Sequence, residues 1–144
     1  MAATLFTNVR IFDATGAAPY AGEVLVQGNR IKKVAKGSGQ ISRDEAGRTV
    51  DGGGMTLMPG MTEGHCHPSF TGVAMPFELG MIPPEEHTLK TAANAKLLLE
   101  SGFTSISCAA SAKPRLDVVV RNAINAGELP GPRMRAASPE LVAT

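Results

Sequence analysis

Leu57-Met58-Pro59-Gly60-Met61-Thr62-Glu63-Gly64-His65-Cys66-His67 is the stretch on which the reading of this chain turns. A β-prone apolar run passes through Pro-Gly into two histidines separated by one residue. Side chains alternate between the two faces of a strand, so a strand here projects His65 and His67, with Glu63, to one side. Two neutral imidazoles on one side of a strand end can hold a single divalent metal ion. The plainer alternative is two ordinary polar histidines near a turn. Cys66 falls on the opposite side, where a small buried thiol is expected rather than a soft ligand.

Upstream, the pattern is that of a small β-domain. Residues 4–12 read as a strand with Leu5, Thr7, Val9 and Ile11 on one face. Residues 22–27 form a second strand, Gly28-Asn29 a two-residue hairpin turn, and residues 30–35 a lysine-rich returning strand suited to a solvated edge. Residues 37–47 are polar and read as a loop. Short strand pieces, 48–51 and 56–58, flank Gly52-Gly53-Gly54.

Downstream, the texture changes to alternating strands and helices. Residues 68–84 form a long loop with apolar content. Pro83-Pro84-Glu85-Glu86 opens a helix that runs to about Ser101 and stops at Gly102, with Leu89, Ala92, Ala93 and Leu97 at helical spacing. Residues 103–108 are a buried-type strand. Lys113 to Ala126 reads as a second helix entered through Pro114, and residues 134–138 as a third strand. This β-α-β-α-β order favours parallel strands.

Composition sets outer bounds. With 144 residues the chain can form an ordinary domain with a real core. A 43% hydrophobic, 19% charged sequence of net charge +1 gives no reason to expect nucleic acid or an anionic membrane as partner. No apolar run nears the roughly 20 residues needed to span a bilayer, and residues 1–6 lack the features of a secretory signal. Two cysteines, Cys66 and Cys108, make no disulfide framework. A cytoplasmic location with reduced thiols is the default expectation, and a chain whose signal has been removed would read the same.

Several segments together carry a resemblance. Asn8-Val9-Arg10-Ile11-Phe12-Asp13, Gly28-Asn29-Arg30-Ile31, Val50-Asp51-Gly52-Gly53-Gly54 and Met58-Pro59-Gly60, leading into His65-Cys66-His67, resemble the N-terminal portion of metal-dependent amidohydrolases. Gly102-Phe103-Thr104-Ser105 and Gly131-Pro132-Arg133 are similar to the second and third strand starts of the imidazolonepropionase-like and prolidase-like branch. That branch includes dipeptidases and the phenylurea and molinate hydrolases. The sequence departs from the pattern at Glu63, where an aspartate is usual, and at Thr62, where an aliphatic residue is usual. Glu63 is therefore given no ligand role.

The resemblance implies an α/β fold: a (β/α)8 TIM-type barrel preceded by a small β-sandwich that C-terminal strands complete. Residues 1–57 would be the incomplete composite sandwich, and residues 58–144 the first β/α units. It further implies His65 and His67 as metal ligands, with zinc the default and cobalt, manganese or iron as alternatives, in a mono- or binuclear centre. The activity implied is hydrolysis of a C–N bond in an amide, urea, carbamate or dipeptide by metal-activated water. The partner would be a small-molecule substrate, and the full-length form could be a homo-oligomer.

A barrel of this type needs about 250 residues, more than residues 61–144 supply. The family's remaining ligands would be a carboxylated lysine or glutamate, two further histidines and a late aspartate. No histidine follows His87. The expectation is thus the first part of a hydrolase, with no catalytic residue of its own and inactive by itself. Two other classes stand beside it: a non-catalytic metal-binding or regulatory module, and one half of a split enzyme needing a second chain. Among the remaining candidates, His87 reads as a surface histidine and Cys108 as core or barrel lining. Lys113 reads as a solvated helix-start lysine with a substrate-carboxylate alternative. Arg133 and Arg135 are expected to pair with acids or solvent.

Overall fold

The computed structural model of the chain describes residues 3–70 and 72–140. They fall into two compact units, Met1–Pro59 and Gly60–Thr144.

The first unit is a sheet of strands β1 (Ala3–Ile11), β2 (Tyr20–Gln27), β3 (Arg30–Lys36), β4 (Arg48–Asp51) and β5 (Thr56–Leu57). The order is β3-β2-β1-β4, with β5 also pairing β1. Antiparallel hairpins join β1, β2 and β3, while β4 and β5 run parallel to β1. As the Gly-Asn pair suggests, Gln27 faces Arg30 across a two-residue turn, and Gly28 takes a positive φ of 61°. The described residues of this unit form one sheet rather than two packed ones.

One expectation about this sheet fails. Leu5 and Val9 do not share a face. The β1–β2 register shifts between Phe6 and Val9, and Asn8 sits at φ 52°. A bulge of this kind adds one residue and turns the following side chains over. Ala3 and Leu5 therefore pack with Leu25 and Ile41, whereas Val9 and Ile11 join Val24, Phe6 and Val26. Asn8 holds the kink by donating from Nδ2 to Asp51 Oδ1 at 2.9 Å.

The polar stretch after β3 is also more ordered than its composition suggests. The buried Glu23 carboxylate accepts three backbone N–H bonds, from Gly39, Gln40 and Ile41, at 2.9–3.0 Å. The Gly39 N–H foremost, then those of Ile41 and Gln40, hold this carboxyl below its ordinary range against the opposing effect of burial.

The second unit alternates β6 (Met61–Cys66), α1 (Pro84–Glu100), β7 (Phe103–Cys108), α2 (Leu116–Ala126) and β8 (Arg133–Arg135). Its three strands are parallel and adjacent in the order β6-β7-β8, as the β-α-β-α-β pattern predicts. Cys66, Ile106, Cys108 and Met134 from the strands form one core with Ala95 of α1 and Val120 of α2. The loop after β6 contains a short 3-10 segment, Pro76–Met81. Among the described residues no helix is long and apolar enough to cross a membrane.

Both helices differ from the sequence reading in detail. In α1 the buried positions are His87, Thr91 and Ala95, spaced by four, while Leu89 and Leu97 are exposed. Polar groups can take the buried stripe because each is bonded. His87 reaches Ser69 O at 2.6 Å, and Thr91 Oγ1 donates to His87 O at 2.8 Å. Helix α2 begins at Leu116 rather than Lys113, because Arg115 adopts a left-handed φ of 63° that no α-helix can include. It ends as expected at Gly127, φ 77°.

Candidate metal centre

β6 ends in His65-Cys66, and His67 follows directly after it. Gly60 immediately before it has no room for a side chain, since a methyl there would overlap Thr104 of β7. Parallel pairing with β7 then runs to Cys66, which lies opposite Cys108. Alternation along the strand buries the Cys66 thiol in the helix-side core, and His65 and His67 emerge together on the other face.

The two rings converge. His65 Nε2 and His67 Nε2 lie 3.2 Å apart, with ring centroids 5.0 Å apart and planes at 70°. Two nitrogens bound tetrahedrally to one zinc ion at 2.0–2.1 Å sit about 3.3 Å from each other. The Nε2 pair has that spacing, and in the absence of an ion the same distance lets one ring donate a hydrogen bond to the other. His65 is exposed and His67 half-buried, so the shared edge of the rings is open to an incoming ion.

Neighbours fix each ring. Glu63 Oε1 accepts from the His65 backbone N–H at 2.9 Å, so this acid braces the strand rather than joining the ring pair. Phe70 lies against the His67 ring at 4.5 Å between centroids, and its N–H donates to His67 O at 3.0 Å. His67 Nδ1 is buried with no hydrogen-bond partner. A metal-binding histidine ordinarily donates its other N–H to a carboxylate, carbonyl or water.

His65 and His67 are the sequence-predicted site residues that come together. Among the described residues no group of three or more histidine, cysteine or acidic side chains could hold a metal ion. His87 is a correction: it is fully buried and bonded to the loop after His67, not a surface residue. Its neighbours in α1 and the 68–70 segment enclose it, which helical position alone does not reveal. Lys113 is a second correction. Its Nζ donates to Leu79 O at 2.9 Å and Gly80 O at 3.1 Å, tying down the end of the 3-10 segment. Arg133 Nε donates to the Ser105 hydroxyl at 3.2 Å instead of pairing with an acid. Cys108 lies in the core as expected.

Three polar residues escaped the sequence reading. Ser69 and Asp117 are fully buried, and Asn94 is half-buried. Asp117, in the first turn of α2, is buried beside the Cys108 thiol and the Ser111 and Ser69 hydroxyls, and neither carboxyl oxygen makes a close, well-aligned hydrogen bond with them. Burial pushes its pKa up, and burial also raises both cysteine thiols, with Asp117 adding to the rise at Cys108.

No family model matches the chain. It is 28% identical over 115 residues to a dihydroorotase from Wolbachia sp. subsp. Drosophila simulans (strain wRi), a match covering 80% of this chain and 23% of that protein. Among solved structures, an amidohydrolase superposes with TM-score 0.79 at 24% identity, covering 95% of this chain and 32% of that one. Phenylurea hydrolase B gives 0.73 at 24%, covering 95% of this chain and 30% of its own. Molinate hydrolase gives 0.75 at 19%, covering 92% of this chain and 29% of its own. The chain thus spans between 23% and 32% of the length of these proteins. At the level of fold the resemblance read from the sequence holds: this chain has the α/β fold of a portion, consistent with the N-terminal one, of the amidohydrolase-type hydrolases.

Proposed function

We propose that this chain is part of a metal-dependent hydrolase that cleaves C–N bonds, with His65 and His67 as two ligands of its metal ion. The observation that carries the reading is the 3.2 Å approach of the two Nε2 atoms at the end of a parallel strand. In this reading β6, β7 and β8 are the first strands of a (β/α)8 barrel, and the ring pair lies at the C-terminal mouth where such barrels keep their active sites. The β1–β5 sheet would be one layer of a composite β-sandwich. Domain limits near residues 57 and 58 follow from the same picture.

What this chain's own residues do is bind and orient. To hold an ion, His65 and His67 would each present an Nε2 lone pair, with the ring proton on Nδ1. Glu63 fixes the backbone at His65, and Phe70 screens one face of the His67 ring from water. Zinc is the default ion; when bound it would polarise a carbonyl and supply hydroxide near neutral pH. The proton-transferring group and further ligands would come from outside these residues. The substrate would be a small amide, urea, carbamate or dipeptide, the bond types implied by the resemblance read from the sequence; the names of a matching prolidase and of phenylurea hydrolase B fit two of them.

A non-catalytic metal-binding module, or half of a split enzyme, is the second reading. His67 Nδ1, buried with no partner where a ligand histidine ordinarily has one, is the observation that favours it. The coding region past Thr144 and an assay of the protein it encodes separate the two. A continuing frame with further histidines and an aspartate, and zinc-dependent hydrolysis of Xaa-Pro dipeptides or aryl ureas, would support the enzyme. His65→Ala or His67→Ala should then lower kcat/KM about 1000-fold, the equivalent of about 4 kcal/mol. Hydrolysis unchanged in those variants would refute the ligand assignment.

A further inference from the structure

His67 is the last residue before a tight turn, and that turn is held from outside by polar side chains that the ligand pair does not use. Fully buried His87, one turn into α1, reaches the Ser69 carbonyl from Nε2 at 2.6 Å. The carbonyl can only accept, so Nε2 carries the proton. Asn94, two turns further along the helix, donates from Nδ2 to Pro68 O at 2.8 Å. From the other side, the Ala112 N–H after β7 donates to Ser69 Oγ at 2.9 Å. The two residues that follow His67 are therefore bonded to α1 and to the β7 exit, and Phe70, next in line, lies against the His67 ring.

Filling the core does not explain this arrangement. His87 Nδ1 is buried without a partner, so the position carries a desolvated nitrogen that leucine would avoid. What histidine adds there is a hold on the Ser69 carbonyl. The geometry assigns His87 and Asn94 as positioning residues that fix the His67 ring, through the Pro68–Phe70 turn, in the orientation that brings its Nε2 to His65. This rests on the reading of His65 and His67 as metal ligands. Neither His87 nor Asn94 touches the ion, and both act through backbone. Outer groups that orient a ligand change metal affinity about 10- to 100-fold when removed, and the same consequence is expected of a hold exerted through the turn.

The test uses the 144-residue chain, titrated with zinc by calorimetry, and the metal-free chain, followed by NMR contacts between the His67 and Phe70 rings. His87→Leu and Asn94→Leu should each weaken zinc binding about 10-fold and lose the ring contact, with the helical circular dichroism kept. His87→Gln, whose amide N–H can reach the Ser69 carbonyl, should recover most of both. Where His87→Leu does not fold, Asn94→Leu at its half-buried position decides. Wild-type affinity and an intact ring contact in folded leucine variants would overturn the assignment, while loss of binding in His65→Ala and His67→Ala would leave the ligand reading standing. Zinc binding that survives both alanine variants would overturn the two together.

Discussion

Glu23 shows how much a single side chain can organise. Its carboxylate, buried in β2, gathers three consecutive N–H groups and turns a polar stretch into defined backbone. Because those bonds hold its folded pKa below the unfolded value, its contribution is fully present above about pH 4.3 and is lost as pH falls through the folded pKa. Glu23→Gln should cost about 2 kcal/mol in urea unfolding at pH 7, and the difference from wild type should shrink in strong acid. Asp117 has the opposite sign. Burial raises its folded pKa, so it favours the fold below about pH 3.9 and penalises it as pH rises through the folded value. Asp117→Asn should therefore be more stable than wild type at pH 7 by roughly 1 kcal/mol, with the gain fading in acid. The same burial, acting on Cys66 and Cys108, should keep both thiols unreactive toward iodoacetamide at pH 8 until the chain unfolds. Rapid alkylation of native protein would contradict their placement.

Elements were legible wherever one physical signal dominated. The β2–β3 hairpin followed from Gly28-Asn29, the start of α1 from Pro84-Glu85-Glu86, and the end of α2 from Gly127. The misses came where a backbone irregularity or a distant partner decides. The β1 bulge at Asn8 follows from a bond to Asp51, 43 residues away, and no alternation count along residues 3–11 could reveal it. Arg115 delays α2 through a left-handed φ that the Pro114 signal gave no reason to expect. His87 looked like a surface residue because its partner, Ser69, lies in a loop with no periodicity to place it. The convergence of His65 and His67, by contrast, was readable because a strand's two-residue period by itself puts them on one side. Close strand packing gives an element-scale prediction. A methyl on Gly22 would overlap the Ala35 carbonyl oxygen of β3 and the Ile11 side chain of β1. Gly22→Ala should lower the stability of the first unit by roughly 1–3 kcal/mol, measured as a fall in its denaturant midpoint.

Across the chain, large apolar side chains remain at the surface of both units. Ile31 and Met55 are 69% exposed in the first, and Leu89 is 73% exposed in the second. In the first unit a hollow of about 320 Å³ lies among Phe6, Val24, Val26 and Val34. Exposed apolar area of this kind promotes association, so the isolated chain should self-associate at micromolar concentration in sedimentation experiments. A monomer with a sharp, reversible thermal transition would contradict that expectation. In the second unit, the Nε2 atoms of His65 and His67 lie 3.2 Å apart. Whether they share one ion is decided by recording the histidine ring 15N resonances of the chain while zinc is added. Nε2 of His65 and of His67 should shift together to values of metal-bound nitrogen, with one ion per chain, while His87 stays unchanged. Rings that keep their metal-free resonances, or a shift confined to one of the two, would contradict a shared ion.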